Sequence, residues 1–247
     1  MHQVLINGEW REANYSSSFN ASNPATCEIV PDDYPVSSWE DCDAALTAAS
    51  TAAGIMATLP GSQIADFLEK YAELLEQQAD EIVALANLET ALPISPRLAD
   101  IELPRTTGQL RSGAEAARDG SWTMATIDTA AGIRSMYGPI GPVSVFGPNN
   151  FPLAFGSISG GDFAAAVAAG NPVIAKANSS HPGTTRLCAE QAQLAADQAG
   201  MPAGTVQLLY RTSHEDGERL VGDPRIGATA YTGSRSAGLK QIGRAHV

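Results

Sequence analysis

Three places in the 247-residue sequence set reactive or ligand-holding side chains directly after short apolar runs. Val143-Ser144-Val145-Phe146 leads into Gly147-Pro148-Asn149-Asn150-Phe151-Pro152, Val173-Ile174-Ala175 into Lys176, and Ala228-Thr229-Ala230-Tyr231 into Thr232-Gly233-Ser234-Arg235-Ser236-Ala237-Gly238. A lysine leaving a buried strand offers a cation to an anionic ligand. A Gly/Ser-rich loop can turn backbone N–H groups and a hydroxyl onto a phosphate. Two other chemistries lose their signature here. The segment after Phe146 is not the G-x-G-x-x-G dinucleotide fingerprint, and Gly156-Ser157-Ile158-Ser159-Gly160 has isoleucine where a nucleophile elbow needs serine.

The elements that must position these residues follow from pattern. From Gly138 onward β-rich runs, with Val206-Gln207-Leu208-Leu209 as the third, alternate with alanine-rich stretches that predict helices over 157–169, 183–199 and 214–221. Strand starts recur at the length of a right-handed βαβ unit. The runs lack polar alternation, as strands covered on both faces do. An α/β, doubly wound, mostly parallel sheet is predicted, with ligands beyond the carboxyl ends of its strands. Upstream, residues 4–30 read as short extended pieces. Ser38 with Asp41 resembles a helix start, running to Ala53. Ile64, Phe67, Leu68, Tyr71, Leu74, Leu75, Ile82 and Leu85 keep the 3–4 spacing of one buried helical face between 63 and 89. Three prolines between Leu92 and Pro104 interrupt the helical pattern, and a further helix is predicted over 106–118. Residues 121–137 read as a hairpin turning near Ala131-Gly132. The predicted divisions are therefore 1–120, 121–137, 138–240 and 241–247.

Composition narrows the partners. Acidic residues outnumber basic ones 27 to 15, a formal charge of −12 that repels nucleic-acid backbones and acidic lipid. A small anionic ligand remains compatible, because a few local donors suffice. No run of 18 apolar residues is present to span a membrane, and the N-terminus lacks a signal-peptide pattern. Cys27, Cys42 and Cys188 are too few and too scattered for a disulfide framework or a metal cluster, so no metal is expected and a reducing cytoplasm is.

Taken together, these segments resemble the aldehyde dehydrogenase superfamily over nearly the whole chain. Ile6-Asn7-Gly8-Glu9-Trp10 and Asn23-Pro24-Ala25-Thr26 look like its N-terminal signature. Gly138-Pro139-Ile140-Gly141-Pro142-Val143 through Asn150-Phe151-Pro152, Asn171-Pro172-Val173 through Lys176 to Pro182, and Tyr231-Thr232-Gly233-Ser234 through Gly238 look like its coenzyme motifs. Arg105-Thr106-Thr107-Gly108-Gln109-Leu110-Arg111 and the His181-Pro182-Gly183 ending are most similar to α-ketoglutaric semialdehyde dehydrogenases.

The resemblance implies NAD(P)-dependent oxidation of a small-molecule aldehyde by a homodimer or homotetramer, with 121–137 in its oligomerisation arm. It gives Asn150 the role of amide donor to the oxyanion. It places Phe146, Lys176, Ser179, Gly233 and Ser234 at the coenzyme, Lys176 near the adenosine ribose and Gly233-Ser234 at the pyrophosphate. Plainer roles stay open: Asn150 as a turn cap, Lys176 as a solvated strand end, Gly233-Ser234 as a generic loop. NAD-preferring members carry a glutamate where this sequence has Ser179. Loss of that carboxylate removes repulsion against a 2′-phosphate, so NADP is expected to bind at least as well as NAD.

The family's glutamate base and cysteine nucleophile are expected past Val247, and none of the three cysteines fits the role, so the chain is read as a fragment without turnover. Gln241–Val247 reads as translated sequencing adapter, a non-native tail that leaves His246 without function. A non-catalytic NADP-binding protein and an acyl-phosphate reductase of the same superfamily stand as alternatives.

Overall fold

The computed structural model describes the backbone of residues 1–242 and the side chains up to Leu239. Its elements run β1 (Val4–Ile6), β2 (Glu9–Arg11), β3 (Tyr15–Phe19), β4 (Tyr34–Ser37), α1 (Trp39–Met56), α2 (Gly61–Gln77) and α3 (Ala79–Thr90). A wide-turn helical segment, Ile94–Glu102, leads into α4 (Leu103–Asp119), then the hairpin β5 (Thr126–Asp128) and β6 (Ile133–Ser135). The remainder is β7 (Val143–Phe146), α5 (Gly161–Ala168), β8 (Val173–Lys176), α6 (Pro182–Gln198), β9 (Val206–Leu209), β10 (Arg211–Thr212), α7 (His214–Val221), β11 (Ala228–Tyr231) and α8 (Arg235–Ile242).

The predicted α/β doubly wound architecture is present. One six-stranded sheet has the order β11-β7-β8-β9-β1-β2. Its first four strands are parallel, and β1 and β2 extend it as an antiparallel edge. β7, β8 and β9 are covered on both faces, with Val145, Val173, Ile174, Ala175, Val206 and Leu208 all buried, while the edge strand β11 is half-buried. The α2 face reads as predicted, with Ile64, Phe67, Leu68, Tyr71, Leu74 and Leu75 buried. Phe67 and Tyr71 meet Phe163 of α5 edge-on, at centroid separations of 6.5 and 5.7 Å. No described helix is long and apolar enough to cross a membrane.

Three expectations are corrected. The helix over 63–89 is two helices, broken at Gln78, whose φ of −101° and ψ of 15° leave the helical basin. The helix expected from 157 starts at Gly161, because residues 147–160 fold as a compact loop. A Cβ on Gly156 would lie 2.5 Å from the Pro152 carbonyl oxygen, and one on Gly147 2.7 Å from that of Phe155. Ser38 does precede α1, but its hydroxyl donates to the Glu40 carboxylate and caps no backbone N–H. A second, three-stranded sheet, β10-β4-β3, was not anticipated. The hairpin forms where expected and is exposed along both strands. Gln241 and Ile242 close α8, while residues 243–247, His246 among them, lie outside the described residues.

Candidate coenzyme and oxyanion site

Strands β11, β7 and β8 lie side by side with their carboxyl ends level, so Tyr231, Phe146 and Lys176 share one row. The loops leaving this row are stitched together. Asn178 Nδ2 donates to the Gly147 carbonyl at 3.1 Å, and His181 Nε2 lies 2.9 Å from the Pro148 carbonyl. Burial holds His181 below the ordinary histidine pKa, so the neutral ring donates to Pro148 as part of the frame. Thr232 N donates to Phe146 O at 3.0 Å, carrying the β7–β11 pairing one residue further.

Two adjoining cavities open above the row and share Phe146 and Lys176 as a common wall. One, of about 400 Å³, is also lined by Ser179, Arg211, His214 and Ser236. The other, of about 230 Å³, is bounded by the Gly147–Asn149 loop, Asn178 and Gly233-Ser234. Each of the five residues predicted for the coenzyme lines one or both of these two cavities. Ser234 also organises the start of α8, its hydroxyl accepting from Ala237 N at 3.3 Å. A Cβ on Gly233 would meet the Tyr231 hydroxyl at 2.4 Å, so a larger residue there requires the Tyr231 side chain to shift. Lys176 has no ion pair among the described residues. Burial, and then the like charge of Arg211, pull its pKa down to about 8.

Asn150 stands apart from this cleft. It is exposed, one residue beyond the cavity wall at Asn149. Its carbonyl accepts from Arg97 Nη2 at 2.9 Å. The Phe151 and Phe155 rings pack edge-to-face at 5.1 Å, with Arg97 over the first at 4.1 Å and Arg105 over the second at 4.8 Å. Sequence reading missed Arg211 and the Arg97–Glu102 pair. Arg211 carried a signal, because it stands just past the carboxyl end of the run 206–209, where a ligand is expected.

No cysteine borders the cleft. Cys42 and Cys188 are buried, and burial pushes both thiols up to about 12, leaving them protonated at neutral pH. Cys27 is exposed on the N-terminal segment.

A mostly parallel sheet with a cation and a Gly-Ser turn at its carboxyl edge has the architecture in which ligands bind beyond the strand ends. The aldehyde dehydrogenase family matches residues 10–246, and the chain belongs to that family, whose coenzyme is NAD(P). An α-ketoglutaric semialdehyde dehydrogenase of Azospirillum brasilense is 37% identical over 252 residues, covering 97% of this chain and 47% of that protein. A protein of the same description from Acinetobacter baylyi is 40% identical over 186 residues, covering 72% of this chain and 34% of that one. The solved structure of an NAD-dependent benzaldehyde dehydrogenase from Corynebacterium glutamicum superposes with a TM-score of 0.84 at 26% identity, covering 99% of this chain and 51% of its own. The chain spans about half the length, or less, of these relatives.

Proposed function

We propose that this chain is the coenzyme-binding half of an NADP-linked aldehyde dehydrogenase acting on a carboxylate-bearing semialdehyde such as α-ketoglutaric semialdehyde. The observation that carries the coenzyme choice is the cleft corner where Lys176, Ser179 and Arg211 line one cavity. Two cations and a hydroxyl suit a 2′-phosphate. Ser179 stands where NAD-preferring members are expected to carry a glutamate, and Glu218 is the carboxylate that remains on the cavity wall. In this reading Gly233 and Ser234 hold the pyrophosphate, and Phe146 walls the cleft between the two parts. The coenzyme, when bound, supplies the hydride acceptor.

The Asn150 amide is the oxyanion donor, a fixed dipole aimed at the aldehyde oxygen as negative charge develops on it. An acidic substrate is supported by Arg105. Its guanidinium lies over Phe155, close to the Asn150 loop, and pairs with no carboxylate among the described residues. Turnover needs a thiolate and a general base. The two buried cysteines are protonated at neutral pH and Cys27 does not line the cleft, so the thiolate is not assigned to any of the three. The exposed hairpin, with Ile127 and Ile133 at 67% and 60% exposure, is assigned to subunit contacts of a homodimer or homotetramer.

Fluorescence titration with NADPH and NADH tests the reading. NADPH is expected to bind at least as tightly as NADH, and Lys176→Ala to weaken NADPH by roughly 10- to 100-fold, the worth of a charge-assisted hydrogen bond. NADPH binding indifferent to Lys176→Ala would remove the site assignment.

A further inference from the structure

We infer that Glu102 and Arg97 are positioning residues that fix Asn150 for its chemistry. The inference rests on the proposed role of Asn150 as oxyanion donor. The Glu102 carboxylate is fully buried at the end of the wide-turn segment preceding α4. Its Oε1 accepts from Leu153 N at 2.8 Å and Ala154 N at 3.1 Å. Its Oε2 accepts from Arg97 Nη1 at 2.7 Å. The other terminal nitrogen of Arg97 donates to the Asn150 carbonyl at 2.9 Å, and the guanidinium plane covers the Phe151 ring at 4.1 Å. One charge pair therefore grips residues 150, 151, 153 and 154 from a segment some fifty residues upstream.

The direction of these bonds sets the pair apart from a generic ion pair. Burying a carboxylate is costly, and apolar residues of similar volume commonly serve stability as well. What apolar residues cannot supply is directional hydrogen bonding to the backbone of a loop. An oxyanion donor works by being fixed before the charge appears. The Asn150 carboxamide has no hydrogen-bond partner among the described residues, so its placement depends on the backbone at 150–154. The pair holds that backbone.

The test uses a full-length gene product carrying this sequence, with Asn150→Ala, Arg97→Ala, Arg97→Lys and the Asn150→Ala/Arg97→Ala double variant. Asn150→Ala is expected to lower kcat about 100-fold or more. Arg97→Ala is expected to lower kcat about 10- to 100-fold, as small misplacements of a reacting group do, with coenzyme Kd and aldehyde KM within about twofold. Arg97→Lys, which can keep one of the two bonds, should recover part of the loss, and it replaces Arg97→Ala if that variant does not fold. In the Asn150→Ala background, Arg97→Ala should cost less than about twofold more, because both act through one amide. Amide exchange at Leu153 and Ala154 should quicken in Glu102→Gln.

An unchanged kcat in Asn150→Ala overturns the oxyanion reading, and the inference with it. A crippled Asn150→Ala beside an unaffected Arg97→Ala, or losses that multiply in the double variant, overturns the positioning role alone.

Discussion

Lys176 and Arg211 face the same cavity, and the repulsion between them adds to burial in drawing the Lys176 pKa down to about 8. Two like charges on one cavity wall repel in the free protein, and an anion seated between them relieves that repulsion. The first consequence concerns pH. Below about 8 the Lys176 ammonium is charged and attracts the 2′-phosphate, and above it that attraction fades. NADPH affinity should therefore fall as pH rises through about 8, and the fall should be absent in Lys176→Ala. Fluorescence titrations at several pH values between 7 and 9.5 check this, and parallel profiles for the two proteins would refute it.

The same relationship predicts a stability cost. The lysine holds fewer protons folded than unfolded between about 8 and 10.5, so stability of the free protein rises with pH across that window. Below the window the full cost of the buried charge is present. Lys176→Met should accordingly stabilise the coenzyme-free protein at pH 7, by something of order 2 kcal/mol once solvent access to the cavity is allowed for. Urea unfolding measures it. A destabilised variant would mean that the ammonium has a favourable partner in the free protein.

Coenzyme preference should be reversible at one position. Ser179→Glu restores the carboxylate that NAD-preferring members are expected to carry, and it does so in the cavity shared with Lys176 and Arg211. A carboxylate there accepts from a ribose hydroxyl and repels a phosphate. NADPH binding should weaken more than about tenfold while NADH binding holds or improves. Equal losses for the two coenzymes would show that the side chain faces neither ribose substituent.

How much of this was legible in the sequence depended on where the bonds run. The four parallel strands could be read because each is a short, mostly apolar run with a single polar residue, bounded by turn residues. β4 could not, since Tyr34–Ser37 is short, contains Pro35, and gains its order from pairing with both β3 and β10. The break at Gln78 was hidden because the flanking residues keep the helical spacing on both sides. Lys176 ends β8, and Gly233 and Ser234 follow β11 within three residues, so local reading found them. Arg97 and Glu102 act on a loop about fifty residues away, and no local pattern encodes such a contact.

His181 should make stability depend on pH between neutral and mildly acidic conditions. Its pKa is lowered by burial, so the folded protein binds fewer protons than the unfolded chain below about 6.5, the model-peptide value. The contribution is complete above that value, declines as pH falls through the window down to the folded pKa, and then levels off. Thermal melts from pH 7.5 to 5 should show a decline in Tm that is smaller in His181→Gln, where the titrating ring is gone. An identical decline in both proteins would assign it to other groups.

Backbone strain offers a final test, because Ala91 and Cys27 are two of the four non-glycine residues that adopt left-handed conformations among the described residues. Ala91 ends α3 at φ 56°, and Cys27 turns the N-terminal segment at φ 61°. A Cβ in this basin costs roughly 1–2 kcal/mol, partly offset in the substituted protein by the greater freedom of glycine in the unfolded chain. Ala91→Gly and Cys27→Gly should each raise stability by about 0.5–1 kcal/mol in urea unfolding. Gly120 provides the reciprocal control. It ends α4 at φ 70°, and a Cβ built on it meets nothing within 4 Å. Gly120→Ala therefore changes conformational preference without crowding and should lose a similar amount. Gains at 91 and 27 without a loss at 120 would mean that side-chain contacts, and not φ, set the stability of these turns.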